Sequence, residues 1–145
     1  MITDLAQAIN TKFAETPAGD ALRLVLSGGL WFTQAKDDVA FPYGVFTWDG
    51  STIDEMAGST QAARQQSRIE TAQLTFSLYS KNDDGGLELF DIITKFIALF
   101  DWADLAYPAG STYTPISMER ESIVNRGKID NVWTFDLAYS VMYEH

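Results

Sequence analysis

The sequence predicts an α+β fold: a mostly antiparallel β-sheet with an N-terminal helix and a central helix packed on one face. Three patterns carry that expectation. Apolar residues recur every three or four positions from Ile2 to Phe13 and again from Leu89 to Phe100, while Glu70–Ser80 and Trp133–Tyr143 alternate apolar with polar. The first spacing puts side chains on one face of a helix, and strict alternation puts them on one face of a strand. Strands grouped on both sides of a single central helix fit an antiparallel sheet with helices on one face.

Ile2, Leu5, Ala6, Ile9 and Phe13 form the apolar face of the first helix. Thr3 or Asp4 is placed to cap its start, and Thr16-Pro17-Ala18-Gly19 ends it. Leu22, Leu24, Val25 and Leu26 suit a short second helix opened by Asp20 and equally a buried strand. Gly28-Gly29 breaks either one. Leu30–Phe32 reads as a short strand, Gln34–Val39 as a polar loop and Tyr43–Trp48 as a stronger strand. Pro42 stands at its start, where a missing N–H does least harm. Positions 51–67 are rich in Gly, Ser, Thr, Gln and Ala and read as a long flexible loop, an arm for reaching a neighbour.

In the next strand Ala72, Leu74, Phe76 and Leu78 point one way, and Thr71, Gln73, Thr75 and Ser77 the other. Lys81–Gly86 makes a turn, with Asp83 or Asp84 available as a helix cap. Leu89, Phe90, Ile93, Phe96, Ile97 and Phe100 then form a helical stripe opposite Glu88, Asp91, Thr94 and Lys95. Asp101–Thr112 is a loop, Ile116–Val124 a strand and Asn125-Arg126-Gly127 a turn. The closing strand sets Trp133, Phe135, Leu137, Tyr139, Val141 and Tyr143 on one face.

At 145 residues the chain is one domain, 1–145. A chain of this size buries roughly 68–70% of its unfolded surface, enough for a core without staples. No apolar run approaches the roughly 18–20 residues that span a bilayer, and no secretory signal stands at the N-terminus. No membrane partner is therefore expected. There is no cysteine, and the one histidine is His145, the last residue. Disulfides and thiolate chemistry are excluded, and dyads or triads built on a positioned imidazole lack their base. Gly28-Gly29 and Gly85-Gly86 lack the residues of a phosphate-binding loop. The acid pairs Asp37/Asp38, Asp54/Glu55 and Asp83/Asp84 read as solvated turns or a helix cap. The chain is therefore read as no enzyme, with no cofactor and no metal.

Twenty acidic residues against ten basic give a formal charge of −10, spread along the chain. Such a surface repels nucleic acid, whose binding depends on Lys and Arg neutralising phosphates. Trp48, beside Asp49-Gly50, either packs at a strand end or offers an aromatic platform for a sugar, a base or a protein partner. Arg64, Arg68 and Arg126 are scarce cations on an acidic body. Together with Trp48 they are the candidate subunit-interface residues.

Gly28-Gly29-Leu30-Trp31-Phe32 and Phe41-Pro42-Tyr43-Gly44-Val45-Phe46, followed by the polar loop, the Ala72–Tyr79 strand, the Leu89–Phe100 helix and the Trp133–Tyr143 strand, resemble the tail-terminator and tail-completion proteins of long-tailed bacteriophages and gene-transfer particles. The resemblance covers nearly the whole chain and rests on the order and spacing of its elements. It implies a structural protein that forms a ring, typically hexameric, at the head-proximal end of the tail tube. Such a ring ends tube polymerisation and docks the neck. The implied partners are copies of itself, the tail tube protein and neck proteins, with DNA passing through the channel without specific binding. The implied location is the virion tail after assembly in the host cytoplasm. Alternative readings are a head–tail adaptor or stopper, and a carbohydrate-binding module.

Overall fold

The computed structural model describes residues 2–54, 69–82, 84 and 86–144. Its elements are α1 (Ile2–Ala14), α2 (Asp20–Val25), β1 (Leu30–Phe32), β2 (Tyr43–Asp54), β3 (Ile69–Ser80), α3 (Leu87–Phe100), β4 (Thr114–Ile129) and β5 (Val132–Glu144). The strands form one sheet in the order β1-β2-β3-β5-β4. Only β1 and β2 run parallel; the other pairs are antiparallel. The α+β architecture matches the fold class that the sequence predicts.

Alternation sets the core. In β3, Ala72, Leu74, Phe76 and Leu78 are buried and the residues between them half-exposed, and β5 repeats this with Phe135, Leu137, Tyr139, Val141 and Tyr143. These rows meet Leu5 and Ile9 of α1, Leu22 of α2, and Leu89, Ile92, Phe96 and Phe100 of α3 in one apolar cluster. Phe76 is its hub, with ring centroids 4.9 Å from Phe96, 5.4 Å from Phe46 and from Tyr139, and 5.6 Å from Phe100. Aromatic pairs at such separations add about 0.5–1.5 kcal/mol each beyond their buried area.

Two segments singled out in the sequence turn out to be stitched together. The Gly28 N–H donates to the Pro42 carbonyl at 2.8 Å, and the Gly44 N–H donates to that of Gly29 at 2.9 Å. Leu30, Trp31 and Phe32 then lie beside Gly44, Val45 and Phe46 in parallel register. A Cβ on residue 28 would fall 1.8 Å from the Ala40 carbonyl oxygen, so only glycine lets the two passes of chain close.

Several elements differ from expectation. The segment left open between helix and strand is α2, and Gly19 rather than Asp20 precedes its first turn. α1 already begins at Ile2, so Thr3 and Asp4 lie inside it, and the Asp4 carboxylate accepts the Ser111 hydroxyl at 2.8 Å. β2 does not stop at Trp48. A bulge between Trp48 and Gly50 absorbs Asp49, and pairing with β3 resumes through Asp54. Residues 51–54 of the expected flexible loop are therefore strand, and the rest of it lies outside the described residues. The bulged Asp49 accepts hydroxyls from Thr47, at 3.1 Å, and from Thr75.

The cap of α3 is Asp84, whose carboxylate accepts the N–H groups of Gly86 at 3.1 Å and Glu88 at 3.0 Å. The α3 stripe is rotated from the predicted one. Ile92 and Leu99 point inward, while Phe90 is 47% exposed and leans on Phe135 at 5.4 Å. The expected turn Asn125-Arg126-Gly127 is a bulge inside β4, where the Asn125 side chain accepts the Gly127 N–H at 2.7 Å. The reversal comes at Asp130-Asn131, both left-handed (φ 51° and 66°). Asp and Asn enter that region more readily than other side chains, and two such residues in succession suit a tight hairpin.

Candidate interface surfaces

The two margins of the sheet are built differently. At the β1–β2 margin, Thr33–Pro42 leaves β1 and returns to start β2, enclosing an open hollow of about 730 Å³ on the sheet face away from the helices. Its floor is Tyr43 and Val45 of β2 and Tyr79 of β3. The two tyrosine rings stack at 5.0 Å, in line with their register, and Phe41 meets the edge of Tyr43 at 5.0 Å. Burial, and then the neighbouring Tyr79, push the Tyr43 phenol above its ordinary pKa, so at neutral pH Tyr43 keeps its hydroxyl proton.

Lys36 and Lys81 stand at the rim. The Lys36 ammonium lies 5.7 Å from the Trp31 ring centre, and that of Lys81 lies 4.5 Å from Phe41. Ammonium groups over aromatic faces are attracted by the ring quadrupole, by about 0.5–1 kcal/mol when exposed. Asp38 also lines the hollow. Two lysines against one aspartate leave it with one positive charge, on a chain whose total is −10.

The opposite margin is β4. It carries three register shifts, at Pro115/Ser117, Arg120/Ser122 and Asn125/Gly127, and is exposed along most of its length beyond Met118. Bulges and charge on an edge strand prevent another strand from pairing with it. Beside it, the end of α3 is tied down by side chains. Asp101 accepts the Tyr139 hydroxyl at 2.5 Å and pairs with Arg120 Nε at 3.3 Å. Burial first, and then the hydrogen bond to Asp101, push the Tyr139 phenol far above its ordinary pKa.

The next residue is Trp102, 71% exposed, with φ at 57°. Its N–H donates to the Met118 carbonyl at 2.9 Å. Ala103 and Leu105 are buried, so Trp102 and Asp104 both point outward. A bulky residue in the left-handed region is a true outlier, and such strain costs about 1–3 kcal/mol unless the surroundings impose it. Here the fold spends strain to hold a tryptophan in solvent.

Among the four predicted interface residues, Arg64 and Arg68 lie outside the described residues. Arg126 stands on β4 with its side chain 60% exposed, and its Nε meets Asp136 of its own chain at 2.7 Å. Trp48 is 37% exposed, opposite Leu74 in register, on the helix side of β2. The structure does not bring Arg126 and Trp48 together, since β3 and β5 separate their strands. Sequence reading missed Trp102, Lys36 and Lys81, which fall in stretches read as plain loop or turn. An apolar stripe running into Trp102 between two aspartates was the available signal.

No group of three or more metal-ligating side chains occurs among the described residues, and no described helix is long and apolar enough to cross a membrane. No family model matches the sequence, and no curated protein matches it. The solved structures speak for the fold. It is shared with a chain from the virion of a native gene transfer agent particle. The likeness covers 99% of this chain and 97% of that one, with a TM-score of 0.74 and 11% identity.

Proposed function

We propose that this chain is a structural subunit of a phage-like particle: a tail terminator that forms a ring at the head-proximal end of the tail tube. The full-length fold likeness to a gene transfer agent virion chain carries this reading. The order of motifs in the sequence supports the terminator role in particular. A ring needs two different surfaces that fit each other head to tail, and the unlike margins of this sheet meet that need. On this reading its partners are further copies of itself, the tail tube and the neck, and it makes and breaks no bonds. DNA crosses the ring without specific binding, and the acidic composition keeps phosphates from sticking.

Particles from a strain lacking the gene test this directly. The expected result is tails of uncontrolled length that fail to join heads, with the protein itself found at the upper end of normal tails by cryo-electron microscopy. Tails of normal length, or density on the portal side of the neck, would discard the terminator in favour of an adaptor or stopper.

A further inference from the structure

We infer that Trp102 of one copy inserts into the Tyr43–Tyr79 hollow of the next, with Asp104 set between Lys36 and Lys81. The contact rests on the ring reading above and supplies its seam.

Four observations carry it. Trp102 is 71% exposed and held out at a left-handed backbone position, between the half-buried Asp101 and the buried Ala103. The hollow, at about 730 Å³, has room for an indole and an aromatic floor on which one stacks. Tryptophan is among the residues enriched at the energetic centres of protein interfaces, and an aromatic side chain of this kind buries about 150–250 Å². The charges also match. Lys36 and Lys81 lie over rings and outnumber Asp38, the one carboxylate among the described residues that lines the hollow, and Asp104 is exposed close to the tryptophan. Finally, knob and hollow lie at opposite margins of one sheet, β4 against β1–β2. A contact between unlike surfaces leaves each copy with one free knob and one free hollow, so it propagates until rotation closes it.

The absence of cysteine makes the contact easy to trap. Asp104→Cys and Lys36→Cys chains, one carrying a mass tag, are mixed and gently oxidised, with Asp104→Cys plus Glu15→Cys as the control mixture. The expected yield of mixed disulfide is at least tenfold higher for the first pair. Adding Trp102→Ala to the Asp104→Cys chain should bring it down to the control. Equal yields, or a yield indifferent to Trp102→Ala, overturn the inference. Native rings without selective trapping would remove this seam and leave the ring. Selective trapping in a protein found elsewhere in the particle would keep the seam and remove the terminator.

A second measurement uses the asymmetry. Trp102→Ala keeps the hollow, and the double variant Lys36→Glu/Lys81→Glu keeps the knob. Where the native chain forms rings, each variant alone should be monomeric by solution mass, and an equal mixture should stop at two chains. Higher oligomers in either variant alone would refute the seam.

Discussion

β3 and β4 are strands of the same sheet, yet they obey different rules. β3 has a neighbour on each side and keeps perfect alternation over its twelve residues, with every second side chain buried. β4 has sixteen residues and a single neighbour, and only Met118 is buried. Its alternation is broken wherever a bulge inserts a residue, because each extra residue shifts the following side chains to the other face. The centre of the sheet is thus set by apolar burial. The margin is set by what must not pair with it, and by what it presents to others.

The largest effect is expected at Phe76. Replacing this fully buried hub with alanine should cost about 3–5 kcal/mol in a urea titration. A loss below about 1 kcal/mol would mean that the centre is not the source of stability. High pH probes the same region. Tyr139 and Tyr143 are fully buried, and burial holds both phenols protonated well above their ordinary range; the hydrogen bond to Asp101 adds to this for Tyr139, and the Glu70 carboxylate beside it for Tyr143. The unfolded chain releases these protons near pH 10, so above that pH it binds fewer than the folded chain. Stability should therefore stay flat with respect to these groups at lower pH. Above about pH 10 it should fall by up to about 1.4 kcal/mol per pH unit for each tyrosine. Melting curves from pH 8 to 11 check the sign, and Tyr139→Phe should flatten the slope.

Smaller effects are expected at the element ends and at the margin. Asp84→Ala removes the acceptor for two N–H groups at the start of α3 and should cost about 1 kcal/mol by thermal unfolding. Arg126→Ala, at the exposed margin, breaks one ion pair with Asp136 and should cost less than about 1 kcal/mol. A larger loss there would show that the hairpin end of β4 carries stability after all.

The same contrast explains how much was legible beforehand. α1, β3, β5 and the cap at Asp84 were readable, because burial on one face leaves a periodic trace in the residues themselves. The bulge at Asn125–Gly127 imitates a turn, since an Asn-x-Gly stretch serves both, and the reversal at Asp130-Asn131 gives no stronger local signal. β2 looked finished at Trp48 because Asp49-Gly50 resembles a stop. The bulge is accepted only because β3 is long enough to resume pairing beyond it. Lys36 and Tyr43 come from one stretch and Tyr79 and Lys81 from another, and only the pairing of β2 with β3 gathers them. Trp102 was visible as a residue, but its exposure depends on the burial of Ala103 and Leu105. The candidates Arg126 and Trp48 were chosen by residue type, which says little about where a surface faces.

The three kinks along β4 have a consequence for life at high copy number. In any abundant protein a long straight outer strand would invite the copies to zip into sheets. Interrupted as it is, this border offers no run of backbone for a stranger to copy, and β1, at the far border, is only three residues long. Molecules so shaped can stay separate in a crowd, since pairing strand to strand is closed to them at both borders.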